Sequence, residues 1–418
     1  MVKLWKGIVV GLVVLAFVGG LGLGLAQEKV KLVIAGRDGV YGQALELASN
    51  LYMEENPDVD ITLLKLPYAS LYEKLVIALR EKTGAYDVVM LDDVWATEFM
   101  SQGWLKDLEA MGFVADPDFV GKALAVGRYP YPDGRLYGVP FVGNVELFAY
   151  RKDLFAKYDL PRPETWLDVL EAAITIDLKE PEVKGIVFRG VKGNPIVTGF
   201  LPIFWAFGAE IIDEAGEPQV DSPQAIAALK FFLKLKRYAP EGVETYNASE
   251  VRDALQQGEV AIAIEVWPAW VPALDDPEVS KVVGKVEIIP APGLITAPAP
   301  LIGIWLLGIA ADAKQPGVAL DFLKFISSAE IQKRLALEVG LPPTRTSIYR
   351  DEEVIAKYRW YPAQLEALEA SKPRPRITQW AQVEAILGDY LQLALIGALS
   401  PEEALREANA KIAEALGG

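Results

Sequence analysis

Short apolar runs alternate with amphipathic stretches along most of this chain, the pattern of a sheet covered by helices. Val30 to Ala35 predicts a strand, ended by Gly36-Arg37-Asp38-Gly39. A helix follows to about Glu55, where Asn56-Pro57-Asp58 breaks it. Val59 to Leu64 predicts a second strand, and Ala69 to Arg80 a helix with Leu71, Leu75, Ile77 and Leu79 as its apolar positions. Tyr86 to Leu91 predicts a buried strand ending at Asp92-Asp93, and Trp95 to Gln102 a helix stopped by Gly103. Leu136 to Phe141 and Asn144 to Tyr150 predict strands, and Arg151 to Leu154 opens a short helix. Glu164 to Ile174 predicts a helix capped by Thr165, Ile186 to Arg189 a strand, and Phe200 to Phe207 a helix ended by Gly208. Asp221-Ser222-Pro223 starts a helix to Tyr238, with Pro in the first turn. Ser249 to Gln257 predicts a helix before the strand Val260 to Val266, and the Pro- and Ala-rich segment Pro290 to Pro300 reads as a hinge crossover. Strands alternating with helices predict an α/β open sheet with parallel strands.

Composition narrows the class. The 418 residues are 52% apolar, ample for two cores. At about 150 residues per domain the length suggests two or three domains. Lys3 and Lys6 precede an uncharged stretch from Gly7 to Leu25, and Gly24-Leu25-Ala26 is a small-x-small site before Gln27. Residues 1–26 are therefore expected to be a signal peptide. A retained anchor is the alternative, since the stretch approaches the ~20 residues that span a bilayer; the glycines and the cleavage site favour removal. Without Cys the chain cannot carry a lipid on an N-terminal Cys, so a free periplasmic or extracytoplasmic protein is expected. A formal charge of −16 disfavours nucleic acid and anionic membrane as partners. The absence of His and Cys and the scarcity of Asn point to a thermophile.

The missing residue types also exclude chemistry. With no His and no Cys there is no Ser-His-Asp triad, no Cys-His pair and no imidazole or thiolate metal site. No phosphate-binding loop or dinucleotide fingerprint appears, so neither cofactor nor metal is expected. Carboxylates leave a glycosidase as the enzyme class that survives, with Asp92, Asp93, Glu146 and Glu265 as candidates. Carboxylates also hold sugar hydroxyls without reacting. Trp95, Trp267, Trp270 and Trp305 lie at strand ends or helix starts. An indole covers the apolar face of a pyranose, while Asp, Glu, Asn and Arg satisfy its hydroxyls. For any single Trp, packing in the core is the commoner role, and Trp95 and Trp270 go to the core or a cleft rim. Tyr41 and Gln43, in the first loop, either face a cleft or simply start a helix. Glu265 interrupts an apolar strand, as a ligand contact or as a salt bridge at the strand end.

Several longer runs carry a resemblance. They are YDVVMLDDVWATEFMSQGWLKDL, GRLYGVPFVGNVELFAYRKDLFAKYDLPRPETW, FGAEIIDEAGEPQVDSPQAIAALKFF, VWPAW, IGIWLLGI and KPRPRITQW. In these runs the chain resembles the extracellular solute-binding proteins of ABC sugar importers, in the form of the trehalose/maltose-binding proteins, over nearly its whole length. The resemblance implies an α/β fold of type II periplasmic-binding-protein form, two lobes around a ligand cleft. It implies one lobe from residues 27–142 and 301–345, and the other from 143–300 and the C-terminal helices 346–418. It implies sugar contacts at Asp92, Asn144, Trp267, Gly303, Trp305 and Arg374. Three departures stand out: Asn144 replaces an Asp, Ala269 replaces a Tyr, and Ile304 replaces the second Gly of a Gly-Gly-Trp pattern. The implied function is capture of a neutral di- or oligosaccharide, an α-glucoside first, by a monomer that hands it to membrane permease subunits. A monosaccharide, a polyol or a phosphorylated solute remains open, the last through Arg37, Arg345, Arg374 and Arg376.

Overall fold

The computed structural model describes residues 28–417; the expected signal peptide lies outside them. The first half-lobe follows the hydrophobic pattern closely. Strand β1 (Val30–Arg37) leads through Gly39, at φ +68°, into helix α1 (Gly39–Glu55). That left-handed turn is what glycine supplies without strain. Strand β2 (Val59–Leu66), helix α2 (Tyr68–Arg80), strand β3 (Val88–Asp92) and helix α3 (Asp93–Ser101) complete the unit. Strands β1, β2 and β3 are parallel, as their helical crossovers require.

The chain then runs through strand β4 (Gly138–Val142) into strand β5 (Leu147–Arg151). Helices α4 (Trp166–Lys179), α5 (Asn194–Ala206), α6 (Pro223–Lys236) and α7 (Ala248–Gln256) follow, with strands β6 (Ile262–Val266) and β7 (Val286–Ile289). Thr165 caps α4 in a reciprocal box with Asp168, and Ser222 caps α6. Strand β8 (Trp305–Ile309), helices α8 (Pro316–Ile326) and α9 (Ala329–Val339), then α10 (Tyr361–Ala370), α11 (Trp380–Leu395) and α12 (Pro401–Gly417) end the chain.

Two sheets result. One has five strands in the order β2-β1-β3-β8-β4, the other three in the order β6-β5-β7. The all-parallel expectation fails at β8, which is antiparallel to both β3 and β4, and throughout the three-stranded sheet. The reason is the path. Strand β8 enters its sheet after an excursion through the other lobe, so it starts at the end where β3 stops. Residues 186–189, expected as a strand, make only isolated bridges, such as Val187 with Ala263.

Three segments join the lobes side by side. Val145 bridges Ile302, the Gly303 N–H donates to Asn144 O at 3.0 Å, and Glu146 N–H donates to Leu301 O at 2.9 Å. The Lys372 N–H donates to Pro300 O at 2.9 Å, and the Lys372 carbonyl accepts from the Ile302 N–H at 3.2 Å. The Pro-rich run before Pro300 lies along the three-stranded lobe, where Ile295 and Thr296 both donate to Ala206 O. Residues 346–357, expected with the three-stranded lobe, pack on α9; Lys333 pairs there with Asp351 at 2.8 Å. Helix α11 packs on α5, α6 and α12 in the three-stranded lobe.

Candidate functional site

The register of β3 against β8 builds the site. Asp92, the last residue of β3, lies opposite Trp305, the first of β8, and Trp305 also lies opposite Val142 at the end of β4. Both side chains thus stand at the sheet edge that faces the other lobe. A cavity of about 630 Å³ opens there, lined from the five-stranded side by Arg37, Tyr41, Tyr68, Asp92 and Trp305. Arg189, Asn194, Thr198, Asn247, Trp267 and Trp270 line it from the three-stranded side, and Asn144, Gly303 and Arg374 from the joining segments.

The five-stranded wall is aromatic. The Trp305 ring is 2% exposed. It packs against Tyr41 at 5.5 Å, Trp95 at 5.6 Å and Tyr68 at 5.9 Å between centroids. The Arg37 guanidinium lies 5.0 to 5.4 Å from the Trp305, Tyr41 and Tyr68 rings, in cation–π contact with all three. Tyr68 donates to Asp92 Oδ2 at 3.0 Å. Burial, then the neighbouring Asp93 charge, pushes the Asp92 carboxyl up to about 7.

The three-stranded wall is a polar network. Glu265, wholly buried on β6, takes an ion pair from Arg189, a hydrogen bond from Thr198 at 3.2 Å and one from Trp267 Nε1 at 2.9 Å. Trp270 lies 5.9 Å from the Arg189 guanidinium. Trp267 then leans on Gly303: a Cβ built there would sit 2.9 Å from the Trp267 ring and 3.5 Å from Asn144 Nδ2. Only glycine leaves that approach open.

Of the residues singled out from the sequence, Tyr41, Asp92, Asn144, Trp267, Gly303, Trp305 and Arg374 line one cavity. Gln43 does not; it is exposed on α1, two residues and about 200° of helical turn past Tyr41. Glu265 lies behind the lining and holds Trp267 and Arg189 rather than facing the cavity. Arg374 is anchored by Asp93 at 2.9 Å and approaches Glu384 at 3.6 Å. Arg376 donates to Asp93 O and Val126 O, and Arg345 pairs with Asp116 at 2.8 Å, so neither lines the cavity. Ala269 lines it, as does Trp270, while Trp95 is buried behind Trp305. Sequence reasoning missed Tyr68, Arg189, Asn194, Thr198 and Asn247. Tyr68, Asn194 and Asn247 all stand at helix starts, the same signal that marked Tyr41.

Residues 38–333 match a family described as bacterial extracellular solute-binding protein. The chain belongs to that family. Among relatives of this solute-binding chain is the mannitol-binding protein of Pseudomonas aeruginosa, 27% identical over 409 residues and covering 92% of each chain. The maltose-bound MalE3 of T. maritima superposes with a TM-score of 0.79 at 28% identity, over 92% of this chain and 99% of that one. A ribitol-bound solute-binding protein from Agrobacterium radiobacter superposes with a TM-score of 0.81 at 27% identity, over 93% and 99%. These two are two-lobed α/β proteins of the same solute-binding fold.

Proposed function

We propose that this chain is the capture component of an ABC importer for a carbohydrate or polyol, working outside the cytoplasmic membrane. The observation that carries the reading is the cleft itself: partly apolar ring faces from Trp267, Trp270 and Trp305 stand among polar groups from both lobes. Rings cover the C–H face of a sugar, and Asp92, Asn144, Asn194, Asn247 and Arg37 supply donors and acceptors for hydroxyls. Because both lobes contribute, the full contact set exists only when they are closed around the solute, so binding shifts the population toward closure. A cavity of about 630 Å³ takes a disaccharide, and an α-glucoside is the first solute to try. A linear polyol is the second reading, supported by relatives that bind mannitol and ribitol. The site residues of this reading are Tyr41, Asp92, Asn144, Trp267, Gly303, Trp305 and Arg374, joined by Tyr68 and Arg37.

The carboxylates support carriage over hydrolysis. A glycosidase needs two carboxyls flanking the bond. Of the four candidates only Asp92 lines the cavity; Asp93 and Glu265 are held by arginines, and Glu146 lies out of reach behind the lining. A thermal-shift screen of sugars, polyols and phosphorylated sugars tests the function, followed by chromatography of the best solute after incubation with stoichiometric protein. A stabilising sugar or polyol recovered intact supports the reading. Stabilisation by phosphorylated sugars alone, or hydrolysis abolished by Asp92→Ala, would overturn it.

A further inference from the structure

The floor beneath the cavity holds more acid than base. Asp92, Asp93, Glu146 and Glu265 are 9%, 0%, 0% and 0% exposed, and Glu384 joins them through Arg374. Against these five carboxyls stand three guanidiniums, those of Arg189, Arg374 and Arg376. At the solvent rim Arg37 and Asp38 add one charge of each sign. The three guanidiniums are committed elsewhere: Arg189 to Glu265, Arg376 to Asp93, and Arg374 to Asp93 and Glu384. Asp92 receives only the Tyr68 hydroxyl, and neither carboxyl oxygen of Glu146 has any hydrogen-bond partner. An ionised carboxylate that is buried and unpaired is costly enough that it takes up a proton instead. Glu146 sits in one of the three segments joining the lobes, and Asp92 at the cavity wall, so the two occupy the seam between the lobes and the cavity surface.

We propose that the cleft floor carries two protons, one on Asp92 and one on Glu146, and that Asp92 meets the solute as a neutral acid that donates a hydrogen bond to it. The proposal rests on reading the cleft as a carbohydrate or polyol site. The surroundings of each group agree with it. Asp92 faces Asp93 at the start of α3, Tyr68 at the start of α2, Tyr41 on α1 and Arg374 from the third joining segment. Burial and then Asp93 raise its carboxyl, against Arg374. Glu146 faces Glu265 on β6, with Arg189 and Arg374 beyond, and burial followed by Glu265 holds it well above the usual carboxylate range. A solute seated on Asp92 displaces the remaining water and favours the neutral acid further. Capture then takes up a proton at and above neutral pH, and affinity falls toward about tenfold per pH unit once Asp92 must be reprotonated to bind.

The same protons bear on the stability of the apo protein. Both carboxyls lie above their unfolded values, so the folded chain binds protons that the unfolded chain releases. Their contribution to stability is complete below about pH 4 and is lost as pH rises, for Asp92 from its ordinary 3.8 toward about 7. The deciding experiment has two arms. In the first, the best sugar or polyol from the thermal-shift screen is titrated calorimetrically at about pH 7.5 in buffers of different ionisation heat. Wild type is expected to take up part of a proton per solute, and Asp92→Asn none. In the second arm, which needs no solute, apo melting is followed from about pH 4 to 9 for wild type and Glu146→Gln. The amide stands in for the neutral acid, so the variant is expected to fold and to lose part of the wild-type decline with pH. Proton release or no proton exchange in wild type, or a Glu146→Gln profile parallel to that of wild type, would overturn the proposal. If no sugar or polyol binds, the functional reading falls while the melting arm still decides the protons.

Discussion

The two walls of the cleft are held by different physics. On the five-stranded side Trp305, Tyr41, Tyr68 and Trp95 support one another ring to ring, and Arg37 rests on their faces. On the three-stranded side the indole of Trp267 is aimed by a hydrogen bond to Glu265, which also anchors Arg189 and Thr198. Packing tolerates loss in proportion to the volume removed. A buried polar network does not, because removing one partner strands the charge of another. The walls should therefore respond differently to the same kind of mutation.

The largest effect is expected at Glu265. Glu265→Ala leaves Arg189 buried without its counter-charge and should cost about 3–5 kcal/mol of stability, together with much of the affinity. Denaturant unfolding checks the first and calorimetry the second. A loss below about 1 kcal/mol would mean that the network adds little and that the walls do not differ.

The tryptophans sharpen the contrast. The sequence suggests one behaviour for both, loss of affinity with modest loss of stability. Their surroundings separate them. Trp305 is packed as a core residue, so Trp305→Ala should cost about 3–5 kcal/mol in apo stability as well as affinity. Trp267 is only partly buried, so Trp267→Ala should cost about 1–3 kcal/mol of binding and less of apo stability. Equal apo melting losses in the two variants would break the distinction.

Gly303→Ala probes the point where the walls meet. Its Cβ would press on the Trp267 ring, displacing the indole at a cost of about 1–3 kcal/mol, read mainly in affinity. Thr165→Ala gives the smallest change and serves as a control away from the cleft. Losing the cap of α4 should cost about 1 kcal/mol of stability and leave affinity unchanged.

What was legible in the sequence follows from how local its causes are. The Thr165 and Ser222 caps, the breaks at Asn56-Pro57 and Gly208, and the four-residue apolar run of β3 before Asp92 are local signals, and the structure keeps them. Strand β7 has four residues and Glu287 among them, too short and too mixed to show a period. Ile186, Val187 and Phe188 look strand-like because they are apolar, yet in the structure Val187 makes only an isolated bridge to Ala263 while Phe188 packs on Phe232 of α6. The direction of β8 is a non-local fact, set by where the chain returns from. The same holds for the site. Tyr41, Asp92 and Trp305 were visible as residues at element ends, whereas Gln43 failed because a helix turns its side chain away within two residues. The partnership of Glu265 with Arg189 spans 76 residues and became visible only in three dimensions.

In the proposed function a sugar or polyol sits between the two walls and is held by both. Calorimetric titration of the best-stabilising solute into wild type and Trp267→Ala, side by side, decides this. One solute per chain is expected, with a Kd of micromolar or tighter, roughly 8 kcal/mol, and a loss of about tenfold or more in the variant. Undiminished affinity in Trp267→Ala, with the variant folded, would place the solute elsewhere and contradict it.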